Sequence, residues 1–292
     1  MRADARCAEW LDRSCLRLGQ LNREVLAGVD SKLGVGDSGQ PLAASTASRY
    51  RKVARTCIRR AVELDILEAD PWPATRRGRS SRKAVQSKRS VDTRRLPDPL
   101  TFARALAAIP THQPGSRTYQ VMTAVAYYGG LRPSEVVMLR RKVLHLPAAG
   151  WGRIDVVEAD ISFDEPGEPK TGPRTVPIPP QLVATLRQWT DEQSIGRDEL
   201  LFRTRTGKRP TGSNWTRAWH RALAAIDHGP LRVYDCRHAA ATTWLMAGVP
   251  LGEVARRLGH SVETLVSTYV GALVGDEALA NARIDEVLSG RM

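Results

Sequence analysis

Cysteine is scarce in this chain of 292 residues, and the four present form no C-x-x-C pair and no Cys/His zinc pattern: Cys7, Cys15, Cys57 and Cys236. That usage implies neither a disulfide framework nor a structural zinc, and the four read as ordinary reduced thiols. A dispersed carboxylate triad is the one metal arrangement that the sequence leaves open. Aromatic residues make up only 5% of the chain, so the seven Trp are the bulky core candidates. No apolar run approaches the roughly 20 residues that a membrane helix needs. The opening Met1-Arg2-Ala3-Asp4-Ala5-Arg6 leads into a mixed polar segment without a signal-peptide core. The expectation is a cytoplasmic protein with no membrane partner. Acidic residues are in the minority, 31 Asp and Glu against 44 Lys and Arg.

That imbalance gives a net charge of +13 and a pI near 10.2. A field of that sign attracts polyanions and says little about fold. Without a basic amphipathic anchor or a lipidation signal, nucleic acid is the preferred partner over a membrane surface. Binding by phosphate neutralisation should weaken steeply with salt. The hydrophobic share of 42% is enough to build a core.

Along the chain, residues 5–27 read as a helix with Trp10, Leu11, Leu16, Leu18, Leu21 and Val25 on its apolar positions. A Gly-rich stretch follows, from Gly34 to Gly39. Residues 45–67 read as a second helix with Ser45 as N-cap. It stops at Asp70-Pro71-Trp72-Pro73, since proline disfavours helix at the residue before it. Next comes a basic, polar run: Arg76, Arg77, Arg79, Arg82, Lys83, Lys88 and Arg89. It reads as a solvated linker over 76–97 that also lies along a phosphate backbone. The domain division expected is therefore 1–75, 76–97 and 98–292. In the last part, helices are expected over 98–109, 117–128, 133–141, 180–193, 213–226, 235–247, 250–258, 262–270 and 276–288. Short strands are expected over 154–157, 161–163 and 175–178. The fold class is mainly α with a small antiparallel β-sheet (α+β).

Four clusters carry the chemistry. In Gly130-Leu131-Arg132-Pro133-Ser134-Glu135, Arg132 sits where a glycine turn enters a helix, a place that favours anions. In Pro169-Lys170-Thr171-Gly172-Pro173-Arg174, Lys170 lies at a tight hairpin tip between strands. In Tyr234-Asp235-Cys236-Arg237-His238, Asp235 is read as the cap of a helix with Arg237 and His238 in its first turn, where cations oppose the dipole. In Leu258-Gly259-His260-Ser261, His260 lies in the joint between two helices, and Tyr269 follows about two turns later. Alone, each has an ordinary structural explanation: a surface arginine, a turn lysine, a packed tyrosine. Together, two arginines, a lysine, a histidine and a tyrosine are a set suited to phosphoryl transfer without a metal. The arginines neutralise developing charge, the lysine and histidine move protons, and the tyrosine is the nucleophile.

The order and spacing of these clusters resemble the phage integrases, or tyrosine recombinases, over roughly residues 98–275. The strongest part is Arg237-His238-Ala239-Ala240-Ala241-Thr242, then Ala247-Gly248-Val249-Pro250, then Leu258-Gly259-His260 and Tyr269. The resemblance implies that Arg132 and Arg237 bind phosphate, that Glu135 supports Arg132, and that Lys170 is the general acid towards the 5′-oxygen. It implies that His260 is an active-site histidine and that Tyr269 forms a 3′-phosphotyrosine on double-stranded DNA, with no cofactor. Tyr234 stands where the family most often has histidine, and a phenol there is a poor base near neutral pH. Residues 44–73 resemble the last helices of the family's core-binding domain, and residues 1–43 resemble nothing in it, so an incomplete core-binding domain is expected. The resemblance further implies a homotetramer on two DNA sites, a C-terminal helix docking on a neighbour, and room for a DNA-bending or directionality factor. Two rivals remain: type IB topoisomerase-like activity, and a catalytically weak or inactive recombinase-like DNA-binding protein.

Overall fold

The computed structural model describes residues 20–36, 38–72, 91–110, 115–160, 166–204, 206–273 and 277–289. The chain divides into two compact units, Met1–Ser81 and Arg82–Met292.

In the first unit, helix α1 spans Arg23–Lys32. It begins there because the Asn22 side chain accepts the N–H groups of Glu24 and Val25, which otherwise lack helical partners. Of the helix expected over 5–27, residues 5–19 lie outside the described residues; over the rest the expectation is corrected, since the helix starts at Arg23 and runs on to Lys32. Helix α2 spans Ala44–Glu63, with Ala43 in the cap position and no side-chain cap, so Ser45 lies inside the helix. It ends four residues earlier than expected. Asp65 turns into the left-handed region at φ 55°, and the N–H groups of Ile66 and Leu67 both return to the Ala61 carbonyl. Leu26, Val29, Leu33, Ala54, Ile58 and Trp72 form the buried core of this unit. Arg51 pairs with Asp30 at 3.0 Å between the two helices.

The second unit holds α3 (Pro99–Ala107), α4 (Ser116–Tyr128), the short α5 (Pro133–Val136), α6 (Pro180–Glu192), α7 (Gly212–Ala225), α8 (Val233–Met246), α9 (Leu251–Leu258), α10 (Val262–Leu273) and α11 (Glu277–Leu288). Strands β1 (Leu144–His145), β2 (Gly152–Val156) and β5 (Arg174–Ile178) form one antiparallel sheet in the order β1-β2-β5; β3 (Ala159–Asp160) and β4 (Pro166–Gly167) pair separately. In register, Ile154 faces Val176 and Gly152 faces Ile178. Alternation along β2 and β5 sends Ile154, Val156, Val176 and Ile178 into the core. Phe102 stacks on Tyr127 there, and the Trp215 indole donates to Thr123. The fold is mainly α with a small antiparallel sheet, as the sequence implies.

Three boundaries differ in ways that matter for the site. The helix expected to run from Pro133 to Arg141 stops at Val136, because Met138 and Leu139 tighten to i−3 bonds and Arg140 then bridges to Leu200. The strand expected at 161–163 lies outside the described residues, and β1, β3 and β4 are additional. Lys170 sits in the turn closed by Gly172 N–H to Pro169 O, but the strands on either side, β4 and β5, belong to different sheets. It is thus a turn lysine between two sheets, and not the tip of one paired hairpin.

Candidate active site

Helix α9 supplies the anchor of the site. Gly259 ends it in the left-handed region at φ 59°, a conformation that glycine adopts without penalty. Glycine is required for space as well, since a Cβ there would stand 2.5 Å from the Thr171 hydroxyl. The last carbonyls of a helix lack helical partners and form the negative end of its dipole. Here three successive ones each receive a guanidinium. Arg174 donates to Arg257 O at 2.8 Å, Arg237 donates to Leu258 O, and Arg132 donates to Gly259 O at 3.0 Å.

A single buried carboxylate ties the three arginines together. Glu135 is 1% exposed and accepts from Arg174 at 2.8 and 2.7 Å. It also accepts the Arg132 backbone N–H and one guanidinium nitrogen, both at 2.8 Å, and lies 3.9 Å from Arg237. Burial opposes its charge, yet the Arg174 hydrogen bonds and charge, with Arg237 and the Arg132 N–H, outweigh it and hold the carboxyl at about 2. Three guanidiniums against one carboxylate leave the site in positive excess.

Arg237, fully buried, also donates to Gly130 O at 2.7 Å. Gly130 adopts φ 61°, and a Cβ on it would strike Trp244 at 2.8 Å. Burial and the nearby Arg132 charge bring the Arg237 guanidinium down to about 10, so it stays charged at neutral pH. Its NH2 lies 3.1 Å from His260 Nε2. Burial, then the charges of Arg237 and Arg132, push His260 down to about 4, so the imidazole is neutral. With Nε2 accepting from Arg237, the ring proton is assigned to Nδ1. His260 Nδ1 and Arg237 Nε are buried without a hydrogen-bond partner.

Tyr269 interrupts α10 with non-helical angles, φ −116° and ψ 23°. Its ring is fully buried against Ala241, Val254, Ala255, Leu258 and Leu265. Burial pushes the phenol well above its usual range, with Arg237 pulling the other way. Its hydroxyl lies 2.8 Å from His238 Nδ1. The carbonyl just before it, Thr268 O, accepts the Val91 N–H.

The structure thus brings Arg132, Arg237 and His260 together around one helix end, with Tyr269 on the helix that follows. Lys170 is exposed on the turn beside Thr171, whose hydroxyl lies 3.4 Å from Arg132. Tyr234 is half-buried and stands edge-on to His238, ring centroids 5.1 Å apart. The reading of Asp235 is corrected. The helix begins at Val233, and Asp235 is its third residue, reaching back to accept the Arg232 N–H at 2.8 Å. Arg237 and His238 therefore occupy its second turn, clear of the positive end of the dipole. Arg76, Arg77, Arg79, Arg82, Lys83, Lys88 and Arg89 lie outside the described residues.

Sequence reasoning missed Arg174 and His238. Arg174 had a legible signal: period-two alternation puts it on the same face as the buried Val176 and Ile178, so an arginine points into the core. His238 had none beyond its place after Arg237, because its partner is on another helix. Chemically, spare N–H groups on a guanidinium and an imidazole suit the oxygens of a tetrahedral anion, and a phenol is a competent nucleophile once deprotonated.

Comparison with known proteins places the chain by sequence and by fold. The integrase of Mycobacterium phage D29 is 28% identical over 182 residues, which is 60% of this chain and 46% of that protein. The tyrosine recombinase XerC of Chlamydia trachomatis serovar L2 is 28% identical over 183 residues, 58% of this chain and 52% of that one. The chain spans about half the length of these curated relatives. In fold, the Tn1549 transposon integrase, solved with transposon right end DNA, superposes with a TM-score of 0.65 at 16% identity, over 98% of this chain and 92% of that one. The model of the Phage integrase family matches residues 101–274, more than half of the sequence and the span from within α3 to the end of α10, and the chain therefore belongs to that family.

Proposed function

We propose that the chain is a site-specific DNA recombinase that cleaves and rejoins double-stranded DNA through a 3′-phosphotyrosine at Tyr269. The observation that carries this reading is the convergence of Arg132, Arg237 and His260 on the end of α9 beside the helix that holds Tyr269. Arg132 and Arg237 neutralise charge on the non-bridging oxygens, with the unpaired Arg237 Nε and His260 Nδ1 as the spare donors. Tyr269 attacks phosphorus and Lys170 protonates the leaving 5′-oxygen. Tyr234 acts as a hydrogen-bond donor at the phosphate. Bond energy is kept in the phosphotyrosine, and a 5′-hydroxyl of a partner strand reverses the bond.

Residues 1–75 serve as a core-binding-like DNA clamp, 76–97 as a basic linker whose Arg76, Arg77, Arg79, Arg82, Lys83, Lys88 and Arg89 follow the phosphate backbone, and 98–292 as the catalytic domain. The working assembly is a tetramer on two DNA sites in the cytoplasm, open to a DNA-bending or directionality factor. Among the described residues no helix is long and apolar enough to cross a membrane. Ile284 and Leu288 on α11 are exposed and support its docking on a neighbouring protomer.

Covalent trapping tests the reading. Wild type and Tyr269→Phe are incubated with nicked duplexes tiled across the DNA flanking the gene and run on denaturing gels. A protein–DNA adduct in wild type alone is expected. An adduct of equal yield in Tyr269→Phe, or none from wild type on any duplex, overturns it. Relaxation of supercoiled DNA without strand exchange would assign topoisomerase activity instead.

A further inference from the structure

The mechanism above leaves the Tyr269 proton without a destination. We propose that His238 is the base that accepts it, which makes His238 a catalytic residue acting directly on the nucleophile; the inference rests on the recombinase reading. Its Nδ1 stands 2.8 Å from the Tyr269 hydroxyl oxygen, within direct proton-transfer reach. The rings meet edge to face with centroids 5.6 Å apart. The distance is held by packing: Ala241 of α8 and Leu265 and Tyr269 of α10 belong to one buried apolar cluster.

Each alternative acceptor is committed elsewhere or chemically unsuited. His260 Nε2 faces Arg237. Tyr234, one turn before His238 on the same helix, is a phenol and no better a base than the group it would deprotonate. Lys170 is assigned to the opposite end of the reaction, where a proton must be given. His238 is in a suitable state to receive one. Burial holds it at about 4, so it is uncharged at neutral pH but a weaker base than a free imidazole, and the transfer must be coupled to bonding of the phenolic oxygen to phosphorus. Asp235, three residues earlier, favours the imidazolium that forms, while Arg232 and Arg237 oppose it. Burial of Tyr269 makes spontaneous loss of its proton to water unfavourable, so a fixed acceptor matters.

The step balances. The Tyr269 proton moves to His238 Nδ1 as the phenolic oxygen bonds to phosphorus. The bond from phosphorus to O5′ breaks, its electron pair leaves with O5′, and O5′ takes a proton from Lys170. In the reverse step the 5′-hydroxyl returns a proton to Lys170, and His238 returns its own to the departing tyrosine.

Two measurements test this. The first needs no DNA: long-range ¹H–¹⁵N spectra of the histidine rings in wild type, Tyr269→Phe and His238→Ala. At pH 7, His238 is expected neutral with its proton on Nε2, and its Nδ1 signal is expected to move in Tyr269→Phe. A proton on Nδ1, donated to the tyrosine, or a charged ring overturns the proposal. The second uses a nicked duplex that gives the Tyr269-dependent adduct, with oxygen or sulfur at the 5′-bridging position. His238→Ala and His238→Asn are both expected to slow single-turnover cleavage by about 10²–10⁴-fold. Asn keeps a hydrogen-bond acceptor near the Nδ1 position but is not a base. Sulfur, a better leaving atom that needs no acid, should rescue Lys170→Ala and not His238→Ala. Wild-type rates in His238→Asn, or rescue of His238→Ala by sulfur, would sink the assignment. If wild type forms no adduct on any duplex, the recombinase reading itself fails, and the ring spectra still decide what His238 does to the tyrosine.

Discussion

Replacing Glu135 by Gln removes one charge and little volume, and the structure indicates how much that costs. Oε1 accepts from Arg132 and Arg174, and Oε2 accepts from the Arg132 backbone N–H and from Arg174. Whichever way the amide turns, its NH2 end faces two donors, so two hydrogen bonds become repulsive contacts. Three guanidiniums also lose their shared counter-charge. The depression of the carboxyl from 4.5 to about 2 corresponds to about 3 kcal/mol. This agrees with the roughly 3–5 kcal/mol lost when one partner of a buried pair is removed. Because the folded-state value is the lower one, this stabilisation is fully present above about pH 4.5 and is lost as pH falls through about 2. Urea unfolding of wild type and Glu135→Gln, followed by tryptophan fluorescence, should therefore show a gap of about 3 kcal/mol at pH 7 that narrows below pH 5. A gap under about 1 kcal/mol at pH 7, or one that stays constant down to pH 3, would refute the claim that a charged Glu135 organises the arginines.

Arg174→Lys leaves one ammonium where a planar fork made three hydrogen bonds, and it should slow adduct formation at least about 10-fold in single-turnover assays. Gly259→Ala combines left-handed strain with a 2.5 Å approach to Thr171; a loss of about 1–2 kcal/mol from the backbone conformation alone is expected in thermal unfolding. In the first unit, Asn22→Ala removes the two hydrogen bonds that start α1 and should lower local stability by about 0.5–2 kcal/mol, read from hydrogen exchange of the Glu24 and Val25 amides. Burial of His238 and His260 as neutral rings lowers both to about 4. Unfolding then takes up protons between about pH 6.5 and 4, and wild-type stability should fall across that window as the solution is acidified.

The sequence by itself determined the elements whose cause is local. Asp98 followed by Pro99 starts α3 through its own carboxylate, Gly259 ends α9, and alternation marks β2 and β5; each effect works within a few residues of its origin. Arg132, Arg237, His260 and Tyr269 were picked out as a set by the resemblance of their motifs to those of one family. Only the tertiary structure decided what joins them. Arg174 on β5 is 39 residues from Glu135 on α5 and pairs with it, and Arg132 is 127 residues from Gly259 and reaches its carbonyl. His238 meets Tyr269 because α8 and α10 share an apolar cluster. The stop of α5 at Val136 also depended on a distant segment, since the isolated bridge from Arg140 to Leu200 competes with the helix for the backbone. Local propensity carries no information about such partners. A buried charge is tolerable only where opposite charge and donors from elsewhere in the chain converge on it, and that convergence is a property of the fold.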